Sequence, residues 1–182
     1  MSSRPNLCAV RILALASLLA PAPALALDED SYKTLSHVLT IGLPTVAAGV
    51  SLAQDDTPGL YQLAKSEAFT LAATEVLKLT VHETRPNGRD KSFPSGHTSV
   101  SFAAAQYMQM RGGWEYGVPA YLAATLVGYS RVRADEHYWK DVAAGAALGI
   151  ASSYYFTDTG KWSKFSVLAT PNAIYAQVFT SW

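Results

Sequence analysis

The sequence has little charge and no basic excess. Of its 182 residues 15% are charged, whereas roughly 25% is usual for a soluble domain. The 14 basic and 14 acidic side chains give a formal net charge of zero, so the chain lacks the positive charge that neutralises a nucleic-acid backbone. Nucleic acid is therefore not expected as a partner.

Cysteine is also nearly absent, because the only one, Cys8, precedes the predicted mature chain. The N-terminus carries positive charge at Arg4 and Arg11, then the short apolar stretch ILALASLLAPAPALA, then a small-x-small cleavage site that ends at Ala26. These features predict a signal peptide over residues 1–26 and export to the periplasm. The mature chain would then have no disulfide, thiol nucleophile or thiolate metal site. The alternative is a retained transmembrane helix, with the protein in the inner membrane and its site facing the periplasm.

Five apolar segments with helical spacing follow in residues 27–182, which we take as one domain. Breaks that contain proline or glycine separate most of them. The pattern predicts an all-α fold, a bundle of about five helices over residues 35–53, 61–82, 97–110, 116–132 and 138–156. We further expect Gly145 and Gly149 to let another helix approach closely, and residues 167–182 to be extended.

The segments favour a periplasmic domain, soluble or membrane-associated, over an integral membrane bundle. The first segment is long enough to span a bilayer. The second contains Lys65, Glu67, Glu75 and Lys78, which would be costly in lipid.

The first of three polar clusters lies near the end of the second segment. Lys78 and Arg85 are seven residues apart, about two helical turns, so both can project from one face before Pro86 ends the helix. An ammonium and a guanidinium on one face can clamp an oxyanion. The alternative is a solvated basic helix end, with Glu75 and Glu83 as ion-pair partners.

The second cluster is the stretch SFPSGHTSVSF, which opens the third segment. Ser95 and Gly96 at a helix start present free backbone N–H groups and the positive end of the helix dipole, which together suit an anion. His97 at the same end can donate a proton near neutral pH. The alternative is an ordinary capped helix start with a surface histidine.

The third cluster precedes the fifth segment and contains Ser130, Arg131, His137 and Asp141. On a helix the Asp141 carboxylate could accept from one ring nitrogen of His137, four residues earlier, and leave the other nitrogen as nucleophile or base. Arg131 adds a third cation. The alternative is a local His–Asp pair on the surface.

The three clusters meet at one end of the bundle if consecutive helices alternate in direction. Cations, backbone donors and two histidines then form a phosphoryl-transfer site that needs no metal and no cofactor. The four histidines show no metal spacing such as H-E-x-x-H. We expect His82 to lie on a helix surface and His37 to be structural.

These residues also carry a resemblance. The patterns Lys78-x6-Arg85-Pro86, Pro94-Ser95-Gly96-His97 and Ser130-Arg131-x5-His137-x3-Asp141 resemble the three-part signature of the type 2 phosphatidic acid phosphatase and vanadium haloperoxidase family. The gap of seven residues between Pro86 and Pro94 is short for that family and leaves little room for a substrate-shaping insertion.

The resemblance implies a role for each matching position. His137 would attack phosphorus and form a phosphohistidine, and Asp141 would orient its ring. His97 would protonate the leaving oxygen and then activate water. The phosphate oxygens would be held by Lys78, Arg85, Arg131, Ser95 and the Gly96 amide.

We therefore predict a metal-independent phosphatase that hydrolyses a phosphate monoester or a pyrophosphate. Its leading substrate is a phosphorylated lipid, given the export signal and the apolar bundle. The first alternative is a soluble acid phosphatase of the periplasm that acts on small phosphate esters. Further alternatives are a vanadate-dependent haloperoxidase and a non-catalytic phosphate- or lipid-binding protein.

Overall fold

The computed structural model describes residues 28–160, 162, 164–170 and 173–179. Within these residues the chain forms five helices and one antiparallel β-hairpin. The helices are α1 (Glu29–Ala53), α2 (Thr57–Thr80), α3 (Gly96–Gly112), α4 (Trp114–Arg133) and α5 (Trp139–Phe156), and the strands are β1 (Lys164–Thr170) and β2 (Ala173–Phe179). The predicted all-α bundle of about five helices is confirmed.

The chain after the bundle is extended where the structure describes it, as the alternation over residues 167–182 predicts. β1 and β2 pair in a register that runs from Lys164 opposite Phe179 to Thr170 opposite Ala173. The predicted signal peptide over residues 1–26 lies outside the described residues. Its cleavage after Ala26 stays a prediction.

Local chemistry accounts for the helix boundaries. The Asp28 carboxylate accepts from the N–H of Ser31 at 2.8 Å and begins α1. The Asp56 carboxylate accepts from the N–H of Gly59 at 3.0 Å and begins α2 in the same way. Gly113, with φ of 81°, makes the turn between α3 and α4, a conformation that favours glycine.

Helix α3 is the centre of the bundle and packs against each of the other four helices. Its buried face is made largely of small side chains, among them Ala103, Ala104 and Ala105, all of them fully buried. Small side chains allow neighbouring helices to approach the α3 backbone closely. The start of α3 is thereby held between the C-terminal ends of α2 and α4 and the N-terminal end of α5.

The closest approach is between α3 and α5. A Cβ atom added to Gly145 would lie 2.5 Å from the carbonyl oxygen of Ser95, and one added to Gly149 would lie 2.1 Å from that of Ser99. Real Cβ atoms essentially never come so near, so only glycine fits at either position. The predicted close-packing role of Gly145 and Gly149 is confirmed.

A buried ion pair joins helices at the opposite end of the bundle. Arg111, at the end of α3, donates from Nε and Nη2 to Asp56 Oδ2 at 2.8 and 2.5 Å. Trp162 Nε1 donates to the same oxygen at 2.9 Å. Loss of one partner from such a pair leaves a buried charge and is strongly destabilising, by about 3–5 kcal/mol.

The contact between α3 and α5 predicts that Gly149→Ala is destabilising. The added methyl group meets backbone atoms that cannot rotate away, and overpacking of this kind costs about 1–3 kcal/mol. The matched control is Gly49→Ala on α1, where a Cβ meets no atom within 4 Å. Because alanine favours helix over glycine, this control should be neutral or up to about 1 kcal/mol stabilising. Thermal unfolding of both variants checks the prediction, and equal effects would contradict it.

Candidate active site

The loops before α3 and before α5 pack against each other at one end of the bundle. The N–H of Asn87 donates to the carbonyl of Asp135 at 3.1 Å, and the N–H of Ser95 donates to the carbonyl of Asp141 at 3.0 Å. These two bonds link the polar clusters that the sequence analysis identified. The three clusters lie together at one end of the bundle, as predicted.

His137 and Asp141 are both buried at this end, but they are not joined as predicted. His137 Nδ1 lies 3.6 Å from Asp141 Oδ2, too far for a hydrogen bond. The expectation of an i,i+4 bond on a helix was wrong because α5 begins at Trp139, so His137 lies in the preceding loop. Asp141 Oδ2 instead accepts from the hydroxyl of Ser92 at 2.6 Å and from the N–H of Tyr138 at 2.9 Å.

The contact is nevertheless set up to orient the ring. Both His137 Nδ1 and Asp141 Oδ1 are buried without a hydrogen-bond partner, and the shortest ring-to-carboxylate distance is only 3.6 Å. A small movement of either side chain would bring the ring nitrogen within hydrogen-bond distance of the carboxylate. Burial, followed by the nearby charges of Lys78, Arg85 and Arg131, lowers the pKa of His137 to about 3. The ring is therefore neutral at neutral pH, which is the form that can act as a nucleophile.

Lys78 lies directly beneath the start of α3. Its ammonium donates to the carbonyl of Lys91 at 2.9 Å, and only 8% of the residue is exposed. A Cβ atom added to Gly96 would lie 3.9 Å from Lys78 Cε, so the lysine stem runs past the open side of the glycine. Burial, followed by repulsion from Arg85, lowers the pKa of Lys78.

Arg85 and Arg131 are held together by a carboxylate that the sequence analysis left unassigned. Glu136 is 3% exposed; it forms an ion pair with Arg85 and lies 3.2 Å from Arg131 Nη2. Burial alone would raise the pKa of Glu136, but the two guanidiniums, together with Arg89, outweigh it and lower that pKa. The signal that could have identified Glu136 is an acidic residue directly before His137 in a segment rich in arginine.

The placement of Arg85 also corrects one expectation. We expected Lys78 and Arg85 on one helical face, but α2 ends at Thr80 and Arg85 lies in the loop that follows. The two cations still meet, because the loop returns toward the bundle and Arg85 pairs with Glu136. The Nε atoms of Arg85 and Arg131 are buried without a hydrogen-bond partner and remain available to an oxygen.

The stretch that begins α3 has the geometry of an anion site. Ser95 is the N-cap in an extended conformation, and its hydroxyl accepts from Thr98 Oγ1 at 2.9 Å, so it does not cap the helix. The N–H groups of the first turn, beginning with Gly96, therefore have no acceptor within the helix. Such a helix start attracts an oxyanion through its N–H groups and its dipole.

His97 is half-buried at this helix start and has a partner that we did not expect. Its Nε2 lies 3.0 Å from Nδ1 of His37, which we took for a structural residue. Burial, the charge of Arg131 and then His37 lower the pKa of His97 to about 3. His82, by contrast, is exposed just beyond the end of α2, as expected for a surface histidine.

No group of three or more His, Cys, Asp or Glu side chains among the described residues is arranged to hold a metal ion. A site built from Lys78, Arg85 and Arg131 presents cations in the place where a metal enzyme presents its metal. Metal independence stays a prediction that only activity measurements can test.

Comparison with known proteins identifies the family. A model described as the PAP2 superfamily matches residues 87–164. The lipid A 4'-phosphatase of Helicobacter pylori (strain J99) is 30% identical over 149 residues, which cover 74% of this chain and 75% of that protein. The chain belongs to the PAP2 superfamily. The prediction that it is an enzyme, a phosphoric monoester hydrolase of this family, is confirmed at the level of the family.

Two solved PAP2 structures have the same fold. The crystal structure of LpxE from Aquifex aeolicus superimposes with a TM-score of 0.63 at 22% identity, over 79% of this chain and 92% of that one. The transmembrane PAP2-type phosphatidylglycerolphosphate phosphatase from Bacillus subtilis gives a TM-score of 0.58 at 22% identity, over 79% and 80% of the two chains. The resemblance noted in the signature thus extends to the helical bundle of PAP2 proteins.

The buried, neutral His137 predicts a stability that depends on pH. Between its usual pKa of 6.5 and its folded pKa of about 3, the unfolded chain binds a proton that the folded chain does not, so stability falls as pH is lowered through this window. His137→Gln should flatten this dependence by up to about 1.4 kcal/mol per pH unit. His82→Gln, at an exposed position, is the control and should leave the slope unchanged. Unfolding measured from pH 7 to 4 checks the prediction, and equal slopes in both variants would contradict it.

Proposed function

We propose that this PAP2 protein removes a phosphate group from a lipid phosphate monoester or pyrophosphate through a phosphohistidine intermediate, without a metal ion. The observation that carries the proposal is the convergence of buried cations on one neutral imidazole. Lys78, Arg85 and Arg131 all lower the pKa of His137 through their charge, so all three lie near the same ring. Two of them have a buried Nε without an acceptor, which a phosphate oxygen would satisfy.

In the first step His137 attacks phosphorus. A bond forms from its Nε2, because Nδ1 is turned toward Asp141, and the bond from phosphorus to the leaving oxygen breaks. His97 gives a proton to that oxygen. In the second step a water oxygen attacks phosphorus, its proton passes to His97, the N–P bond breaks and inorganic phosphate leaves. The proton that His97 loses in the first step is thus returned in the second.

Substrate binding resolves an apparent conflict in the role of His97. An acid with a pKa of about 3 is deprotonated at neutral pH and cannot donate. A phosphate dianion beside His97 would offset the charge of Arg131, one of the causes of that low pKa, and would itself favour an imidazolium. His97 therefore becomes an effective acid only when phosphate is bound.

A lipid is the substrate that the molecular surface favours. Large apolar side chains are exposed along two helices: Val38, Ile41, Val46 and Leu52 on α1, and Trp114, Val118, Leu122 and Leu126 on α4. Soluble monomers seldom expose so much apolar surface in continuous stripes, whereas proteins that contact lipid do. The similar Helicobacter protein is a lipid A 4'-phosphatase, which agrees with a phosphorylated lipid as substrate.

We place the protein at the periplasmic face of a membrane, as a membrane-associated enzyme. Among the described residues, α1 is the helix that is long and apolar enough to cross a bilayer. The export signal read from residues 1–26 supports a periplasmic site, and the exposed apolar stripes support contact with lipid. A soluble phosphatase of small esters is the alternative, and cell fractionation distinguishes the two.

The central test is phosphate release with EDTA present. The purified protein should hydrolyse a phosphorylated lipid and the small ester p-nitrophenyl phosphate, and His137→Ala should lower the rate at least about 10³-fold, as loss of a nucleophile does. His82→Ala is the control and should retain activity. Activity that disappears with EDTA would contradict the metal-free mechanism. Halide oxidation in the presence of vanadate would favour the haloperoxidase alternative.

A second measurement tests the order of the steps. p-Nitrophenolate needs no proton to leave, so His97→Ala should still form the phosphohistidine with p-nitrophenyl phosphate but should hydrolyse it slowly. A burst of one nitrophenolate per protein and labelled phosphate retained on His137 are the expected results. A variant that releases phosphate and nitrophenolate at the same reduced rate, with no burst, would show that the assigned roles are wrong.

A further inference from the structure

Helix α1 contributes two neighbouring residues to the site although it lies outside the signature. It precedes Lys78, the first signature residue, and it lies outside residues 87–164, which the PAP2 model matches. It nevertheless packs against both α3 and α4. Ser36 contacts Arg131 and His37 contacts His97, so consecutive residues of α1 touch two different site residues.

The contact of His37 is a directed one. Its Nδ1 is 3.0 Å from Nε2 of His97, and the two rings meet edge to face with centroids 4.6 Å apart. His37 itself is exposed, whereas His97 is half-buried. A hydrogen bond between two imidazoles needs one N–H and one lone pair, so the contact couples the tautomer of His97 to that of His37.

The contact of Ser36 is equally defined. Ser36 is fully buried, and its hydroxyl donates to the carbonyl of Lys33 at 2.8 Å within α1. The hydroxyl proton is therefore engaged, and the oxygen accepts from Arg131 Nη1 at 3.1 Å. Because Glu136 holds another nitrogen of the same guanidinium, Arg131 is fixed from two sides.

We propose that His37 and Ser36 are positioning residues of the active site, His37 for the acid–base histidine His97 and Ser36 for the phosphate-binding Arg131. The proposal rests on the proposed function, because it assigns these two residues to the site that performs it. His97 donates from Nε2–H to His37 Nδ1, which leaves Nδ1 of His97 as the atom that exchanges a proton with the leaving group and with water. His37 thus does for His97 what a triad carboxylate does for its histidine.

The surroundings of His97 make such a partner necessary. The titratable and charged groups that act on it are Arg131 from α4, His37 itself from α1, Glu136 from the loop before α5 and Arg85 from the loop after α2. Repulsion by the two arginines disfavours an imidazolium. An acceptor at Nε2 holds the ring in one orientation against this repulsion, so loss of His37 Nδ1 should disturb proton transfer by His97 during turnover.

Two substitutions separate a directed hydrogen bond from simple ring packing. His37→Phe keeps an aromatic ring against His97 but has no acceptor, while His37→Asn has an amide oxygen close to the former position of Nδ1. His37→Phe should lower kcat about 10-fold or more, with a small change in KM, because misorientation removes part of the acid–base contribution. His37→Asn should restore most of kcat.

The control variant is Val38→Phe, which adds a ring at the next position of α1, an exposed residue, and it is assayed with the small ester p-nitrophenyl phosphate so that lipid contact plays no part. It should behave as the unsubstituted protein. Ser36→Ala should give the opposite split from His37→Phe: weaker inhibition by inorganic phosphate and a higher KM, with kcat nearly unchanged. If His37→Asn and His37→Phe lose activity equally, or if Val38→Phe matches them, the contact is only packing and the proposal is wrong.

A readout without turnover keeps this proposal separate from the proposed function. With histidine labelled with ¹⁵N, the unsubstituted protein should show His97 as the tautomer with hydrogen on Nε2, and His37→Phe should show a mixture of tautomers. Only four histidines contribute signals. Absence of phosphatase activity together with this tautomer shift would overturn the proposed function and uphold the positioning role of His37. An unchanged tautomer in His37→Phe would overturn that role whatever the activity.

Discussion

The active site depends on the close contact between α3 and α5. The signature residues are spread over Lys78 to Asp141, and no local interaction could hold its second and third parts together. The missing side chains of Gly145 and Gly149 let α5 lie on the α3 backbone at Ser95 and Ser99. This contact sets the Ser95 N–H within 3.0 Å of the Asp141 carbonyl and brings the start of α3 beside His137. The distance between His97 and His137, the proposed acid and nucleophile, is therefore a consequence of helix packing.

The second constraint is electrostatic, and Glu136 is at its centre. Arg85 comes from the loop after α2 and Arg131 from the last turn of α4, and the two would repel each other in a buried place without a shared carboxylate. Glu136 offsets both and lies directly before His137, so the arginines are tied to the segment that carries the proposed nucleophile. A bound phosphate would compete with Glu136 for the same guanidinium N–H groups. In the proposed mechanism Glu136 therefore positions the two arginines in the free protein, and some of their hydrogen bonds pass to the substrate when it binds.

Sequence alone predicted those parts of the site whose chemistry is encoded locally. The stretch Pro94-Ser95-Gly96-His97 indicates a helix start by its own residues, and the five apolar segments predict the helical bundle. The prediction failed for His137 and Asp141, where spacing suggested one helix but α5 begins after His137. It also overlooked His37, since its contact with His97 joins residues 60 positions apart and nothing in α1 marks that partner. Contacts that depend on how helices pack carry no short sequence pattern, and so only the folded chain reveals them.

The charges of the site suggest which phosphates it can process. Arg89 is set aside here because its side chain is 70% exposed and screened by water. Lys78, Arg85 and Arg131 then oppose Glu136 and Asp141, which leaves one net positive charge while both histidines are neutral. A monoester dianion exceeds that charge by one, and a proton on His97 restores the balance. A diester monoanion would neutralise the net charge of the site without that proton. Burial would then keep His97 neutral, and no acid would be available for the leaving group of the diester. In the proposed mechanism, the same features that lower the pKa of His97 in the free protein would restrict the reaction to terminal phosphates, because only these bring the second charge that recruits the proton.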